Sequence, residues 1–434
     1  MAQIAPNSIV VSAVRDRHVI ATPPVEKSQR LRDPSLLVFF LLVAATALFA
    51  TLLLVDGNLF TRGWQFLMSW LLGETDQMHL ATFSFAGGWT GRRLRTANAG
   101  DITPRREEID RAIALLDSQP NASAGLVRLG DKNVLFSDCG NAFIMYARQG
   151  RSLVALFDPV GPTELWPDLL QKFIAAARRQ RCRPVFYQVS TEFLPHAFDS
   201  GLRPYKLGEQ AVVDLTRFDL KGGAWLKLRR SINRAERDGL EFSMLPVEQV
   251  PDVIDELLSV SRTWLAAHNA SEKGFSLGTF DPSYVKAGPV AVIRIEGRIV
   301  AFASILEAGQ HGDAFVDLMR HIPDTHRGMM DLLFVRIMEQ MKARGFRTLN
   351  LGMAPLAGLV EHRYAPLWNH LGRQIFRFGE RFYNFRGVQA FKSKFDPDWQ
   401  PRYLVVSGRR GMPMASLYDV TMLIGGGLKG VFRR

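Results

Sequence analysis

The sequence predicts a mixed α/β fold, laid out as two successive mixed-sheet lobes behind an N-terminal membrane-spanning helix. Three observations predict it. Residues 36–55 form an uncharged apolar run of about 20 residues, the length a helix needs to cross a bilayer. Beyond residue 120, short β-rich runs alternate with longer amphipathic ones, and the order strand, helix, strand occurs twice. The chain is 434 residues long, 47% apolar and 22% charged, which suits a folded protein of two or three units.

Taken in order, residues 1–35 are a basic tail carrying Arg15, Arg17, Lys27, Arg30 and Arg32. Residues 36–73 hold the predicted span and a second apolar stretch over 59–72, with Trp64, Phe66, Leu67, Trp70 and Leu71. That stretch is short and opens at Arg62, which suits an interfacial helix or a half-span. A cleaved signal peptide fits less well, because the extension is long and no small-residue cleavage site follows the apolar run. The basic tail places the N-terminus in the cytoplasm by the positive-inside rule, so a single crossing would put the remainder outside. Residues 74–120 read as a linker.

The first lobe, 121–220, has a strand over 153–157, the turn Asp158-Pro-Val-Gly161, a helix over 165–179 and a strand over 184–189. Residues 221–245 are a basic helix between lobes. The second lobe, 246–410, has strands over 290–295 and 299–306 in a hairpin about Glu296-Gly297. A strand over 314–319, a helix over 330–343 and a strand over 348–351 follow. Residues 411–434 read as a C-terminal tail. Hairpin strands followed by helix-then-strand units form mixed sheets, the pattern of a tandem acyltransferase-like (GNAT-type) fold.

The formal net charge is +12, which favours an anionic partner such as nucleic acid or an acidic lipid surface, although a basic chain can also simply be soluble. Two cysteines, Cys139 and Cys182, are too few for a disulfide framework or a cysteine zinc site, and each reads as a small buried or half-buried residue. No metal or other cofactor is expected. No serine elbow, Walker loop or paired metal-ligand motif occurs.

Four features carry chemistry. Lys227, Arg230, Arg234 and Arg237 recur at helical spacing on one face, with Arg229 beside them, and such a stripe can hold several phosphates. Asp317-Leu-Met-Arg320 places two ionic groups on opposite faces of an ideal strand; a strand end after Met319, with Pro323 close behind, would let both reach one cleft. A structural ion pair is the plainer reading of that pair. The run Phe382-Tyr-Asn-Phe-Arg386 and then Phe391-Lys-Ser-Lys-Phe-Asp396 interleaves aromatics with Lys392 and Lys394, as a stacking surface or as core packing. Asn350-Leu-Gly-Met-Ala-Pro355 follows a predicted strand and turns. A coenzyme A donor would need a glycine-rich loop opening a helix, and Thr325-His-Arg-Gly-Met-Met330 offers one glycine.

Lys206-Leu-Gly-Glu209, Leu228-Arg-Arg-Ser-Ile-Asn-Arg234, Phe275-Ser-Leu-Gly278, Val316-Asp-Leu-Met-Arg320, Asn350-Leu-Gly-Met-Ala-Pro-Leu356, Phe391-Lys-Ser-Lys-Phe395 and Pro401-Arg-Tyr-Leu404 together resemble the lysylphosphatidylglycerol synthase (multiple peptide resistance factor) family. The likeness runs in family order from about residue 121 to 408. It implies tandem acyltransferase-like folds that move lysine or alanine from aminoacyl-tRNA to a glycerol hydroxyl of phosphatidylglycerol at the cell inner membrane. By that likeness Asp317, Arg320 and Lys392 match the family's functional residues. Asp317 would orient or deprotonate the hydroxyl or bind the aminoacyl amine, while Arg320 and Lys392 would hold phosphate or the oxyanion. Lys227, Arg229, Arg230, Arg234, Arg237, Glu209, Asn350 and Lys394 are the expected substrate-binding residues. Full-length family members carry a many-helix flippase that one span does not supply. Charged tRNA is cytoplasmic, so the likeness asks for a cytoplasmic catalytic region, against the charge bias. Two alternatives stay open: a related acyltransferase with another donor or a peptidoglycan-type acceptor, and a non-catalytic membrane-attached binding module.

Overall fold

The computed structural model describes residues 104–268, 270–309, 311–359, 385–407 and 413–426. The apolar run 36–55, the stretch 59–72 and most of the linker lie outside the described residues, as do Phe382, Tyr383 and Asn384. Among the described residues no helix is long and apolar enough to cross a membrane.

Helix α1 (Arg106–Leu116) and a 3-10 segment (Ala122–Leu129) lead into strands β1 (Asn133–Phe136), β2 (Phe143–Gln149) and β3 (Ser152–Leu156). Helix α2 (Trp166–Arg179), strand β4 (Arg183–Val189), helix α3 (Leu194–Asp199) and the long β5 (Leu202–Asp214) follow. Next come α4 (Leu226–Arg237), β6 (Leu240–Leu245), α5 (Val250–Ala267), α6 (Pro282–Val285), β7 (Val290–Ile295), β8 (Arg298–Glu307) and β9 (Asp313–His321). Helix α7 (Met329–Ala343), β10 (Thr348–Pro355), α8 (Phe385–Ser393), β11 (Asp398–Ser407) and α9 (Met414–Ile424) complete the described order.

Among the described residues, all eleven strands join one mixed sheet in the order β1-β2-β3-β4-β11-β5-β10-β9-β8-β7-β6. Two pairs are parallel, β3 with β4 and β9 with β10; each is bridged by a crossover helix, α2 or α7. The rest are antiparallel. Strand β11, from near the chain's end, sits between β4 and β5 and pairs with both. The two predicted strand–helix–strand units are therefore sewn into one continuous sheet, with a strand from the late sequence at its middle.

Side chains alternate across that sheet, as strand geometry requires. Val154, Leu156, Val290, Val292 and Phe302 enter the core on one face, while Leu153, Ala155, Ala291, Ile293 and Ala301 enter cores on the other. Helices α2 and α3 cover the second face at one end, and α4, α7 and α8 at the other. The first face is covered by α1, the 3-10 segment, α5, α6 and part of α9. Phe143, Phe173, Phe186, Phe302 and Phe395 have no accessible surface, each burial contributing about 1.5–3 kcal/mol. The hairpin at Glu296-Gly297 has positive φ at both residues, +50° and +80°, the turn that matches strand twist.

Several readings need correction. Residues 411–434 are not merely a tail: α9 is anchored by Asp419, which accepts from Ser152 Oγ at 2.6 Å and pairs with Arg183 at 2.7 Å. The linker's end carries α1. Cys182 is buried as expected, but Cys139 is exposed, and both thiols are free. Strand β9 does not stop at Met319 but runs to His321.

Candidate active site

A cleft of about 320 Å3 opens on the first face at the middle of the sheet. Phe315 of β9, Gln210 of β5, Gln188 of β4 and Asn350 with Gly352 of β10 form its floor, and Ser276 and Leu277 form one wall. The wall belongs to the connection between α5 and α6, whose described residues form no helix or strand and must be held from outside.

Asp317 and Arg320 hold it. The β8–β9 register shifts between Ala303 and Ile305, so β9 bulges at residues 317–318. The bulge turns Leu318 into the same core as Phe315 and brings Arg320 to that face as well, where it meets α5. Thus a bulge, not a strand end, unites the two ionic residues. Asp317 Oδ1 accepts the Gly278 N–H at 2.9 Å, and its Oδ2 accepts the Tyr284 hydroxyl at 2.6 Å. A Cβ at Gly278 would collide with that carboxylate, so glycine is required there. Arg320 donates to Glu272 at 3.1 Å and to the Met319 carbonyl at 2.9 Å, with its guanidinium 4.4 Å from the Trp264 ring centre. Its Nε is buried without a partner.

A third tie comes from Asp131, whose Oδ2 accepts the Phe275 N–H at 3.0 Å. Asp131 is itself paired at 2.5 Å with Lys132, a lysine with no accessible surface. Residues 272–278 are therefore gripped at Glu272, Phe275 and Gly278. Burial raises the Asp317 carboxyl above the usual carboxylate range, against the lowering effects of the Tyr284 and Gly278 bonds. Burial likewise lowers Arg320 and Lys132, and raises Tyr284 well above the usual phenol value.

Lys392 approaches from α8 and reaches Gly352. Its Nζ donates to the Met353 carbonyl at 3.0 Å and lies beside the Gly352 Cα, as does the Phe315 ring. Burial alone pushes its amine down to about 7, and among the described residues no carboxylate pairs with it. Asn350 is buried in the cleft floor, its Oδ1 accepting the Gly352 N–H at 2.8 Å. Lys394 points elsewhere: it pairs with Asp331 at 2.8 Å, joining α8 to α7. Glu209 is paired with Lys206 at 2.7 Å, and Lys206 also donates to the Gly358 carbonyl.

The basic stripe lies on α4, whose Leu228, Ile232 and Ala235 are buried on the opposite side. Lys227, Arg230, Arg234 and Arg237 are exposed. Lys227, Arg230 and Arg234 share a cavity of about 510 Å3 with His326, Arg327 and Gly328 at the start of α7. Arg229 is not part of that surface, since it donates to the carbonyls of Leu220 and Gly222. The Gly328 N–H, which a phosphate cradle would need free, is bonded to His326 Nδ1 at 3.0 Å. Sequence reasoning missed Tyr284, Glu272, Trp264 and Lys132, which lie far from Asp317 in the chain and carry no spacing signal. No group of residues that could hold a metal occurs among the described residues.

The class is thus a mixed-sheet protein whose central cleft has a wall held from behind by an Asp-x-x-Arg pair, with a buried lysine beside its Gly352 floor. Residues 113–406 match the family described as phosphatidylglycerol lysyltransferase, C-terminal, and the chain belongs to that family. It is 38% identical over 307 residues to the phosphatidylglycerol lysyltransferase of Bacillus subtilis, covering 70% of this chain and 35% of that protein. The C-terminal domain of an Agrobacterium fabrum protein named as a lysylphosphatidylglycerol synthetase is 49% identical, with a TM-score of 0.68, covering 75% of this chain and 99% of that one. The structure of L-PGS from Bacillus licheniformis is 35% identical, with a TM-score of 0.64, covering 74% and 98%. The chain therefore spans about a third of the curated relative's length.

Proposed function

We propose that this chain transfers a lysyl group from lysyl-tRNA to a glycerol hydroxyl of phosphatidylglycerol. One observation carries the mechanism: the Lys392 amine sits beside the cleft residues Gly352 and Met353 without a carboxylate partner among the described residues, and burial pushes it down to about 7. A neutral amine there accepts the glycerol O–H proton as that oxygen attacks the aminoacyl carbonyl carbon. The new carbon–oxygen ester bond forms, the bond to the ribose oxygen breaks, and the same lysine returns the proton to the departing ribose oxygen. While protonated, the amine also faces the developing oxyanion.

In this reading Asp317 is a positioning residue. Both of its oxygens are occupied by Gly278 and Tyr284, and it stands behind the wall made by Ser276 and Leu277. Arg320 holds the same wall through Glu272. The exposed cations of α4 bind the tRNA backbone, and Arg229 shapes the loop before them. A coenzyme A donor is disfavoured by the Gly328 amide already engaged by His326.

We further read the sheet as two acyltransferase-like lobes, 121–220 and 246–410, supported by the repeated parallel pair with its crossover helix. The apolar run 36–55 would anchor them at the inner membrane with the cleft in the cytoplasm, where charged tRNA resides. The test incubates the full chain with lysyl-tRNA and phosphatidylglycerol vesicles, then extracts lipids for mass spectrometry. A lysylated lipid that depends on charged tRNA is expected. Its absence, or transfer from acetyl coenzyme A instead, overturns the assignment.

A further inference from the structure

The end of α8 sends its side chains two ways. Phe391, Lys394 and Phe395 meet α7, whereas Lys392 meets β10. Phe334 of α7 touches the Phe391 ring edge-on, with centres 5.2 Å apart, and stacks on Phe395 at 5.4 Å. These rings hold the two elements together, and Phe395 is fully buried. Apolar contact is non-directional, however, so the rings alone set the rotation of that last turn only loosely.

Asp331 supplies the direction. It is buried in the first turn of α7, and its two oxygens serve different elements. Oδ1 accepts from Lys394 Nζ at 2.8 Å, and Oδ2 accepts from Ser231 Oγ of α4 at 2.8 Å. Ser231 borders the same cavity as Lys227, Arg230 and Arg234. The seat of α4 on α7 is close there, since a Cβ on Gly328 would collide with the Ser231 carbonyl. One carboxylate therefore fastens the cationic helix and the lysine-bearing end of α8 to a single point of α7. The Lys394 side chain is half exposed, and an ion pair of that kind adds little to stability. Its reach and direction matter more. The backbone stays wound across this stretch, with the Lys394 N–H bonded to the Phe391 carbonyl and the Phe395 N–H to that of Lys392, so fixing Lys394 also fixes where Lys392 points.

The amine so aimed meets no charge. Its neighbours are the Met353 carbonyl and Gly352 of β10, with the Phe315 ring of β9 against the same glycine, and none of these ionises. Burial alone lowers the Lys392 amine, so the lowering lasts only while the side chain is kept in that place.

We propose that Asp331 is a positioning residue for the transfer: through Lys394 it sets the direction of the last turn of α8, and so holds Lys392 at the cleft in register with the cationic surface of α4. The inference rests on the transferase reading for the use made of Lys392, but its first test needs no transfer. The full chain is labelled with trace acetic anhydride between about pH 5.5 and 10, and mass spectrometry follows each lysine, since only the free amine reacts. In the wild type Lys392 is acetylated with a midpoint of about 7. In Asp331→Ala and in Lys394→Met the midpoint rises by about one unit or more toward the ordinary lysine value, and the double variant moves it no further. Asp331→Asn, whose oxygen and amide can still serve Lys394 and Ser231, keeps it within about half a unit. In steady-state transfer at pH 7 the alanine and methionine variants lose about fivefold or more in kcat, with KM for lysyl-tRNA within about twofold. Removing a negative charge that merely lies nearby would lower the midpoint, so a downward move in Asp331→Ala overturns the proposal, as does no move. Lys394→Met changes only a half-exposed side chain, and an unmoved midpoint there overturns the proposal even where Asp331→Ala fails to fold. If no lysylated lipid forms in the transfer assay while the midpoints move as stated, the transferase reading fails and the hold of Asp331 on Lys392 stands.

Discussion

Replacing Asp317 separates two roles that a simple loss of activity cannot. Alanine would leave the buried Gly278 N–H and Tyr284 O–H without their acceptor. An unsatisfied buried donor costs about 1–3 kcal/mol, so Asp317→Ala should lose roughly 2–6 kcal/mol and release the wall at Leu277. Asparagine is nearly isosteric. Its oxygen can still accept from Gly278, and its amide can donate to a Tyr284 hydroxyl that turns to accept. Asp317→Asn should therefore melt within a few degrees of the wild type and keep kcat within about tenfold. Loss of a general base costs about 100- to 10,000-fold. The assay is steady-state lysyl transfer to phosphatidylglycerol beside thermal melts of both variants. An Asp317→Asn protein that melts normally yet is as inactive as a base-deleted enzyme would refute the positioning role.

Two further outcomes follow from the same geometry. Arg320→Lys keeps the charge but loses the planar contact with Trp264 and the fixed donor to Glu272; we expect a lower melting temperature and at least a tenfold loss of kcat, measured together. Reversing Lys227, Arg230 and Arg234 to glutamate should raise KM for tRNA and flatten its salt dependence while sparing the melting temperature. Arg229→Ala should instead lower the melting temperature and leave the salt dependence of tRNA binding unchanged, because its donors hold the Leu220 and Gly222 carbonyls.

The sequence was most legible where local pattern decides structure. The β-branched apolar run 290–295 matches β7, and the crossover helices fall within a residue of their expected starts. The Glu296-Gly297 hairpin needed only its turn residues. What could not be read locally was pairing at long range. Nothing in Asp398–Ser407 states that it lies between β4 and β5, because that position is fixed by strands nearly 200 residues earlier. The β9 bulge was equally hidden: Asp317 and Arg320 stand on opposite sides of an ideal strand, and only the register against β8 shows otherwise. The cleft followed the same rule. Asp317, Arg320 and Lys392 carried family likeness, whereas Tyr284, Glu272 and Lys132 matter through contacts that no spacing announces. Lys394 and Arg229 looked like neighbours of the site, yet both are engaged in holding elements together.

The proposed chemistry turns on whether a buried amine takes and returns a proton. With its conjugate acid near 7, Lys392 is mostly ammonium below that pH and mostly free amine above it. The direct measurement is the pH dependence of kcat for lysyl transfer between pH 5.5 and 9, in the wild type and in Lys392→Met. The wild-type rate should rise through a single limb near pH 7 and level off, and the methionine variant should lose the limb together with about 100- to 10,000-fold in kcat. A variant that keeps wild-type turnover with the same limb would contradict the mechanism.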